Sequence, residues 1–220
     1  IIQSSGYGKT RLGLELLKDL GCGVYCVDTF EMGYYSYCSE YPHSSAWFGP
    51  FTNAFGQCSS DGEALFICLA FINELVDEHY GFLNYKNTAE MMEIFMKGED
   101  KESGADAVGK KMSEALKSAL SNFKQEIPAN QWKTYESLAE KIRARVGNKL
   151  FPIFFDACHK LLESKCGGTT LYRAIRRALA MLKDTNVVGL FAGNKKEFKE
   201  YYEGIEMDAK YGGVNDEKMI

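Results

Sequence analysis

The opening stretch Ile1-Ile2-Gln3-Ser4-Ser5-Gly6-Tyr7-Gly8-Lys9-Thr10-Arg11 constrains this chain more than any other. It reads as the end of an apolar strand, a small-residue loop with two glycines, and Lys-Thr. An amphipathic run, Arg11-Leu12-Gly13-Leu14-Glu15-Leu16-Leu17-Lys18, follows directly and predicts a helix. Strand, glycine loop, Lys-Thr and helix in that order are the context of a phosphate-binding loop. A nucleoside triphosphate concentrates negative charge in a short span. A loop holds it by turning backbone N–H groups inward, and only small residues let the backbone come that close. Gly6 and Gly8 meet this need, and Ser4 and Ser5 are small enough not to obstruct it. The backbone from Ser5 through Tyr7 to Lys9 would cradle the phosphates, and the Lys9 ammonium would reach the β- and γ-phosphates. The Thr10 hydroxyl would ligate Mg²⁺, and the following helix would present its positive end. Gln3 stands where the usual pattern begins with glycine. The rival reading is therefore a glycine-rich turn that merely precedes Lys-Thr.

Composition narrows the field. At 220 residues the chain suits one large domain, or one domain with an insertion. Net charge is −4 and no basic stripe occurs, so nothing points to nucleic acid. No apolar run is long enough to cross a bilayer, and no membrane partner is expected. The seven cysteines are irregularly spaced, and Cys26, Cys68 and Cys158 sit in apolar runs where a small hydrophobe would serve. This favours free thiols in a reducing, intracellular compartment. Cys22/Cys26 and Cys158/His159/Cys166 lack a second pair at zinc-finger spacing, which argues against a cysteine metal site. The chain opens midway through a strand and without methionine, so the expectation is a fragment of a longer protein.

In chain order, Val24-Tyr25-Cys26-Val27 reads as a buried strand with Asp28 at its end. Residues 28–60 show no helical period and predict a long surface loop. Its aromatics (Tyr34, Tyr35, Tyr37, Tyr41, Trp47, Phe48, Phe51) are expected to cover the core rather than stack on a base. Ser60 or Asp61 caps a helix that is apolar nearly all round, from Ala64 to Val76. Further helices are expected over about 88–97, over about 105–127 with Pro128 as the stop, and over about 130–146 with Gly147 as the stop. Leu150-Phe151-Pro152-Ile153-Phe154-Phe155-Asp156 reads as a parallel strand buried on both faces and ending in an acid. Thr169-Thr170 caps a helix through Leu182, and residues 186–192 form a second buried strand ending at Gly193-Asn194. The fold expected is α/β, a P-loop NTPase three-layer sandwich with a parallel sheet and a helical insertion. Residues 1–84 and 149–220 would form the nucleotide-binding halves, and 85–148 the insertion.

On such sheets ligands sit at the carboxyl ends of the strands, where Lys9-Thr10, Asp28, Asp156 and Asn194 all fall. Asp156 suits Mg²⁺ coordination together with Thr10. Asn194 suits a sensor that touches the γ-phosphate or orients water. Many ATPases place a glutamate after the metal-binding acid to polarise that water. Here Ala157 follows, with His159 and Glu163 nearby. Arg173, Arg176 and Arg177 line one helix, and a solvated face is the simpler reading of them.

Four stretches together carry a resemblance: Gln3 to Arg11, Phe155-Asp156-Ala157-Cys158-His159-Lys160-Leu161, Tyr172 to Leu179, and Gly189 to Asn194. They are similar to the NTPase modules of Crinkler-type effectors and their fungal and oomycete relatives. Those modules carry a Q/G-S-S-G-x-G-K-S/T-R loop, an F-D-E-A-H-x-L segment and a sensor strand ending in glycine and a small polar residue. The resemblance adds Arg11 to the nucleotide-binding set. It implies a P-loop ATPase of the AAA+/STAND kind, acting as a regulated switch or effector module. A Crinkler-type effector would be secreted and delivered into a host cell. Ala157 departs from the pattern at the glutamate, which bears on hydrolysis and not on binding.

The expectation is thus an ATP-binding module, with GTP as the alternative base, Mg²⁺ as cofactor, and either ATPase turnover or a slow switch. A protein partner or a second copy of the chain would be its further contact. Two rivals stand beside it. One is a degenerate P-loop interaction module, favoured by Gln3 and Ala157. The other is a P-loop small-molecule kinase or sulfotransferase-like enzyme, for which an arginine-rich lid is wanted. The middle helices offer only Arg143 and Arg145 for that.

Overall fold

In a computed structural model the described residues are 2–3, 12–13, 16, 24–26, 45–82, 104–156 and 160–194. They form a helical body laid against a small parallel sheet. The expected helix at 88–97 lies outside them. The body is built around α2 (Asp61–Phe82), which packs on α1 (Ser45–Gly56), α3 (Gly104–Lys124) and α4 (Pro128–Val146). Its residues Phe66, Ile67, Leu69, Phe71, Ile72, Leu75 and Val76 are all buried. A helix apolar on every side has to be surrounded, and this one is. Stacked rings mark two of its contacts: Phe71 on Phe51 of α1, with centroids 3.9 Å apart, and Phe66 on Phe123 of α3, at 4.2 Å.

The start of α2 is fixed by its cap. The Ser60 hydroxyl accepts from the Glu63 amide at 3.2 Å, and the Glu63 carboxylate accepts from the Ser59 amide at 2.8 Å and the Ser59 hydroxyl at 2.9 Å. This is a capping box shifted one residue back. Burial alone would raise the Glu63 carboxyl, but the Ser59 hydrogen bonds and the Lys124 ammonium, 3.4 Å away, hold it below its ordinary value. The other two boundaries also follow the sequence. Pro128 opens α4 where its missing N–H costs nothing, and Gly147 closes it at φ 55°.

The expected loop over 28–60 is corrected in its second half, because Ser45–Gly56 is a helix. Phe48, Phe51 and Phe55 recur at helical spacing and are buried with Ala54. Gly49 and Pro50 obscure that period, and Pro50 sits inside the helix. The burial of Phe48 and Phe51 agrees with the core role expected for them. The side chain of Trp47 and residues 28–44 are outside the described set.

The sheet is made of short parallel strands. β2 (Val24–Cys26) pairs with β3 (Phe151–Phe155), and β3 pairs with β6 (Val187–Phe191). β1 (Ile2–Gln3) pairs with β7 (Gly193–Asn194). A single residue, Ala192, separates β6 from β7, and its amide still donates to the Phe155 carbonyl at 2.8 Å. β6 and β7 are thus successive parts of one extended segment, which pairs with β3 first and β1 afterwards. The lateral order is β2, β3, β6/β7, β1. Between β3 and β6 lie a four-residue helix α5 (Lys160–Glu163), an antiparallel hairpin β4 (Lys165–Cys166) and β5 (Thr169–Thr170), and α6 (Leu171–Met181). The Thr170 hydroxyl caps α6 by accepting from the Arg173 amide at 3.2 Å.

Pro152 lies in the central strand, where its lack of a donor should tell. Amide direction alternates along β3: Phe151 donates to Asn186 on the β6 side, and Asp156 donates to Cys26 on the β2 side. Alternation turns the Pro152 nitrogen toward β2, one residue before β2 pairing begins at Ile153. The missing donor therefore breaks no ladder.

The two faces of β3 meet different partners. Phe151, Ile153 and Phe155 join the helical core, where Phe155 stacks on Phe191 at 5.0 Å and Phe191 meets Tyr172 of α6 edge-on. Phe154 points to the opposite face with Ala192 and Leu190. There the chain is helical at residues 12, 13 and 16, and Gly13 is buried against the Phe154 ring. A Cβ at Gly13 would lie 2.5 Å from that ring. Helical residues thus cover both faces of the central strand, and the coarse expectation of an α/β fold with a parallel sheet holds.

Candidate functional site

Parallel strands put all their carboxyl ends on one edge of a sheet. Here that edge carries Gln3, Cys26, Phe155 followed by Asp156, and Asn194. The amide of Asp156 is fixed to the Cys26 carbonyl at 2.9 Å, so the backbone that bears its carboxylate is anchored in the sheet. The residue is half-buried, neither sealed in the core nor fully in water.

Strand order sets the spacing. β1, which leads into the glycine loop, is one strand removed from β3, which ends at the acid. At about 4.8 Å per strand, the two strand axes run roughly 10 Å apart. Register sets the height: Phe155 is opposite Phe191, and Gln3 is opposite Asn194, three residues further along. The chain leaving β1 therefore emerges beyond the level of Asp156, with Asn194 alongside.

Asn194 is the last residue of β7, with its backbone paired to Gln3. The sequence ends its strand at Gly193-Asn194, and β1 supplies the partner that pairs there. One feature missed is the contact of Gly13 with Phe154. A glycine among leucines on an amphipathic helix is its one visible signal, since it marks a close approach.

The described residues bring Asp156 and Asn194 to the same edge as the β1 terminus. Ser4, Ser5, Gly6, Tyr7, Gly8, Lys9, Thr10, Arg11, Asp28, Ala157, Cys158 and His159 lie outside them. Glu163 is exposed on α5. The arginines of α6 are partly engaged: Arg177 pairs with Asp61 at 3.5 Å, and the Arg176 guanidinium lies over the Tyr172 ring at 5.8 Å. Ala174, Ile175 and Ala178 fill the buried face of the same helix, so the arginines occupy its outer side. Among the described residues no group of three or more His, Cys, Asp and Glu side chains is arranged to hold a metal ion, and no helix is long and apolar enough to cross a membrane. No family model, curated protein or solved structure matches this chain.

Proposed function

We propose that this chain is a nucleoside-triphosphate-binding P-loop module of the AAA+/STAND kind, related to those of Crinkler-type effectors. The observation that carries the reading is the strand order. The strand running into Gly6-Tyr7-Gly8-Lys9-Thr10 lies parallel to, and one strand away from, the strand ending in Asp156. Roughly 10 Å between strand axes is a span that a triphosphate with its cation can bridge. The packing of Gly13 on Phe154 supports the same reading, because it ties the helix after the loop to the acid-bearing strand. Three layers, helix against sheet against helix, then form around the site.

In this reading the backbone from Ser5 to Lys9 cradles the phosphates, Lys9 neutralises the β- and γ-oxygens, and Ser4 and Arg11 complete the nucleotide-binding set. The Thr10 hydroxyl and the Asp156 carboxylate are hard oxygen donors of the type Mg²⁺ prefers, and they would hold it. The ion would screen charge on the phosphate oxygens. Asn194 hydrogen-bonds the γ-phosphate or the water next to it. With Ala157 after Asp156 there is no carboxylate at that position to polarise water, which favours a slow switch over fast turnover.

Titration of the purified chain with fluorescent ATP and GTP, with and without Mg²⁺, tests the reading. Lys9→Ala should weaken binding about 10- to 100-fold, the worth of a charge-assisted contact. Asp156→Asn should lose the Mg²⁺ dependence and keep residual binding. Equal affinity in the parent chain and Lys9→Ala would leave the degenerate interaction module as the better reading. Phosphate release near 1 s⁻¹ or faster, within the usual enzyme range, would show that another residue replaces the absent glutamate.

A further inference from the structure

The turn between α1 and α2 and the β4–β5 hairpin are far apart in sequence and packed together in space. The Cys166 thiol on β4 donates to the Ser60 carbonyl at 3.7 Å, and a Cβ at Gly167 would lie 3.5 Å from the Asp61 carboxylate and 3.8 Å from the Ser59 carbonyl. Across this contact the Cys58 and Cys166 thiols lie close enough to influence one another electrostatically. The Cys58 thiol also reaches the Ala54 carbonyl at 3.6 Å. Cys58 is partly open to solvent, whereas Cys166 is buried. Both are free thiols, and neither belongs to the site proposed above.

We propose that Cys58 and Cys166 form a peroxide-responsive clasp: a disulfide between them staples the α1–α2 turn to the hairpin that follows the acid-bearing strand. The oxidant is a hydroperoxide, hydrogen peroxide in the simplest case. The Cys58 sulfur attacks one peroxide oxygen; an S–O bond forms, the O–O bond breaks, and the departing hydroxide leaves as water with the thiol proton. The Cys166 sulfur then attacks the sulfenic sulfur of Cys58. The S–S bond forms, the S–O bond breaks, and the second hydroxide leaves as water with the Cys166 proton. Two thiols and one peroxide become one disulfide and two waters.

The surroundings set the rate. Burial first, then Cys166 and Glu63, push the Cys58 thiol up to about 12, and Lys124 pulls weakly the other way. Burial, Glu63 and Asp61 raise Cys166, against the Cys58 thiol and Lys124. Cys68, deeper on α2, is raised as well by its burial and by the other two thiols. Because the thiolate is the nucleophile, closure should be slow at neutral pH and rise about tenfold per pH unit from pH 7 to 9.

The test uses the full chain, purified reduced, treated with hydrogen peroxide while folded, then alkylated and mapped by mass spectrometry. The expected result is a mass loss of about 2 Da with one linked peptide pair containing Cys58 and Cys166, reversed by dithiothreitol. The oxidised chain should melt between about 5 and 15 °C higher, since the bond closes a loop of roughly 108 residues. Cys58→Ser should abolish both the linkage and the shift; it is the partly exposed partner and the milder substitution. Alkylation of both cysteines after peroxide, or their linkage to other cysteines, would overturn the proposal. The readout needs no nucleotide, so failure of the clasp and failure of the nucleotide reading are told apart.

Discussion

The helical body and the strand edge are held together by different means. Around α2 the cohesion is apolar and dense: Phe51 stacks on Phe71, and Phe66, Phe123 and Tyr135 form a second run of ring contacts. At the strand edge β1 contributes two residue pairs to β7, and the Asp156 amide donates to the Cys26 carbonyl. The body is therefore a densely packed platform and the edge a set of strand ends presented on it. Of the candidate residues, Asp156 and Asn194 lie in the second region. Stability should respond to changes in the first region, and ligand binding to changes in the second.

Substitutions sharpen that contrast, and the largest effect is expected in the body. Phe71→Ala removes a fully buried ring stacked at 3.9 Å and should cost about 3–5 kcal/mol in chemical denaturation. Gly13→Ala tests the junction between the two regions. Its Cβ would press on the Phe154 ring at 2.5 Å, and the repacking should cost about 1–3 kcal/mol. If the helix at Gly13 positions the phosphate loop, nucleotide affinity should fall as well. Unchanged stability would mean that Phe154 moves aside freely, and the junction would then be looser than the geometry indicates.

Smaller effects belong to the caps and surface pairs. Ser60→Ala should cost about 1 kcal/mol through loss of the α2 cap. Glu63 adds a pH signature to the same cap. Its folded carboxyl titrates below its ordinary value, so its contribution is complete above the ordinary carboxylate range and is lost as pH falls through the folded value. Melting temperature measured below about pH 4.5 should therefore fall less steeply in Glu63→Gln than in the parent chain. Arg177→Ala breaks a 3.5 Å pair with Asp61 on the surface and should change stability by less than about 1 kcal/mol. A larger loss would show that α6 depends on this tie to α2 more than on its apolar face.

Much of the body was legible in the residues because its signals are local. An all-apolar run after Ser60, a proline at 128, a glycine at 147 and a threonine at 170 each act within a turn or two of themselves. α1 escaped because Gly49 and Pro50 interrupt the period that Phe48, Phe51 and Phe55 would otherwise display. Of the candidate site, the acid at the end of an apolar strand was legible, and so was the place of Asn194 at the end of another. The neighbour of each strand was not, since apolar runs of equal length pair equally well on paper.

The amino-acid order alone therefore determined most of the longer helices and strands among the described residues, where most of them stop, and that Asp156 ends a buried strand. Tertiary structure decided that β1 lies beside β7 and one strand from β3, that Gly13 rests on Phe154, and that Cys58 meets Cys166. The physical reason is range. Periodicity and capping are enforced by neighbours a few residues away, whereas strand order, close backbone approach and thiol contact arise only when distant segments bury their apolar faces together.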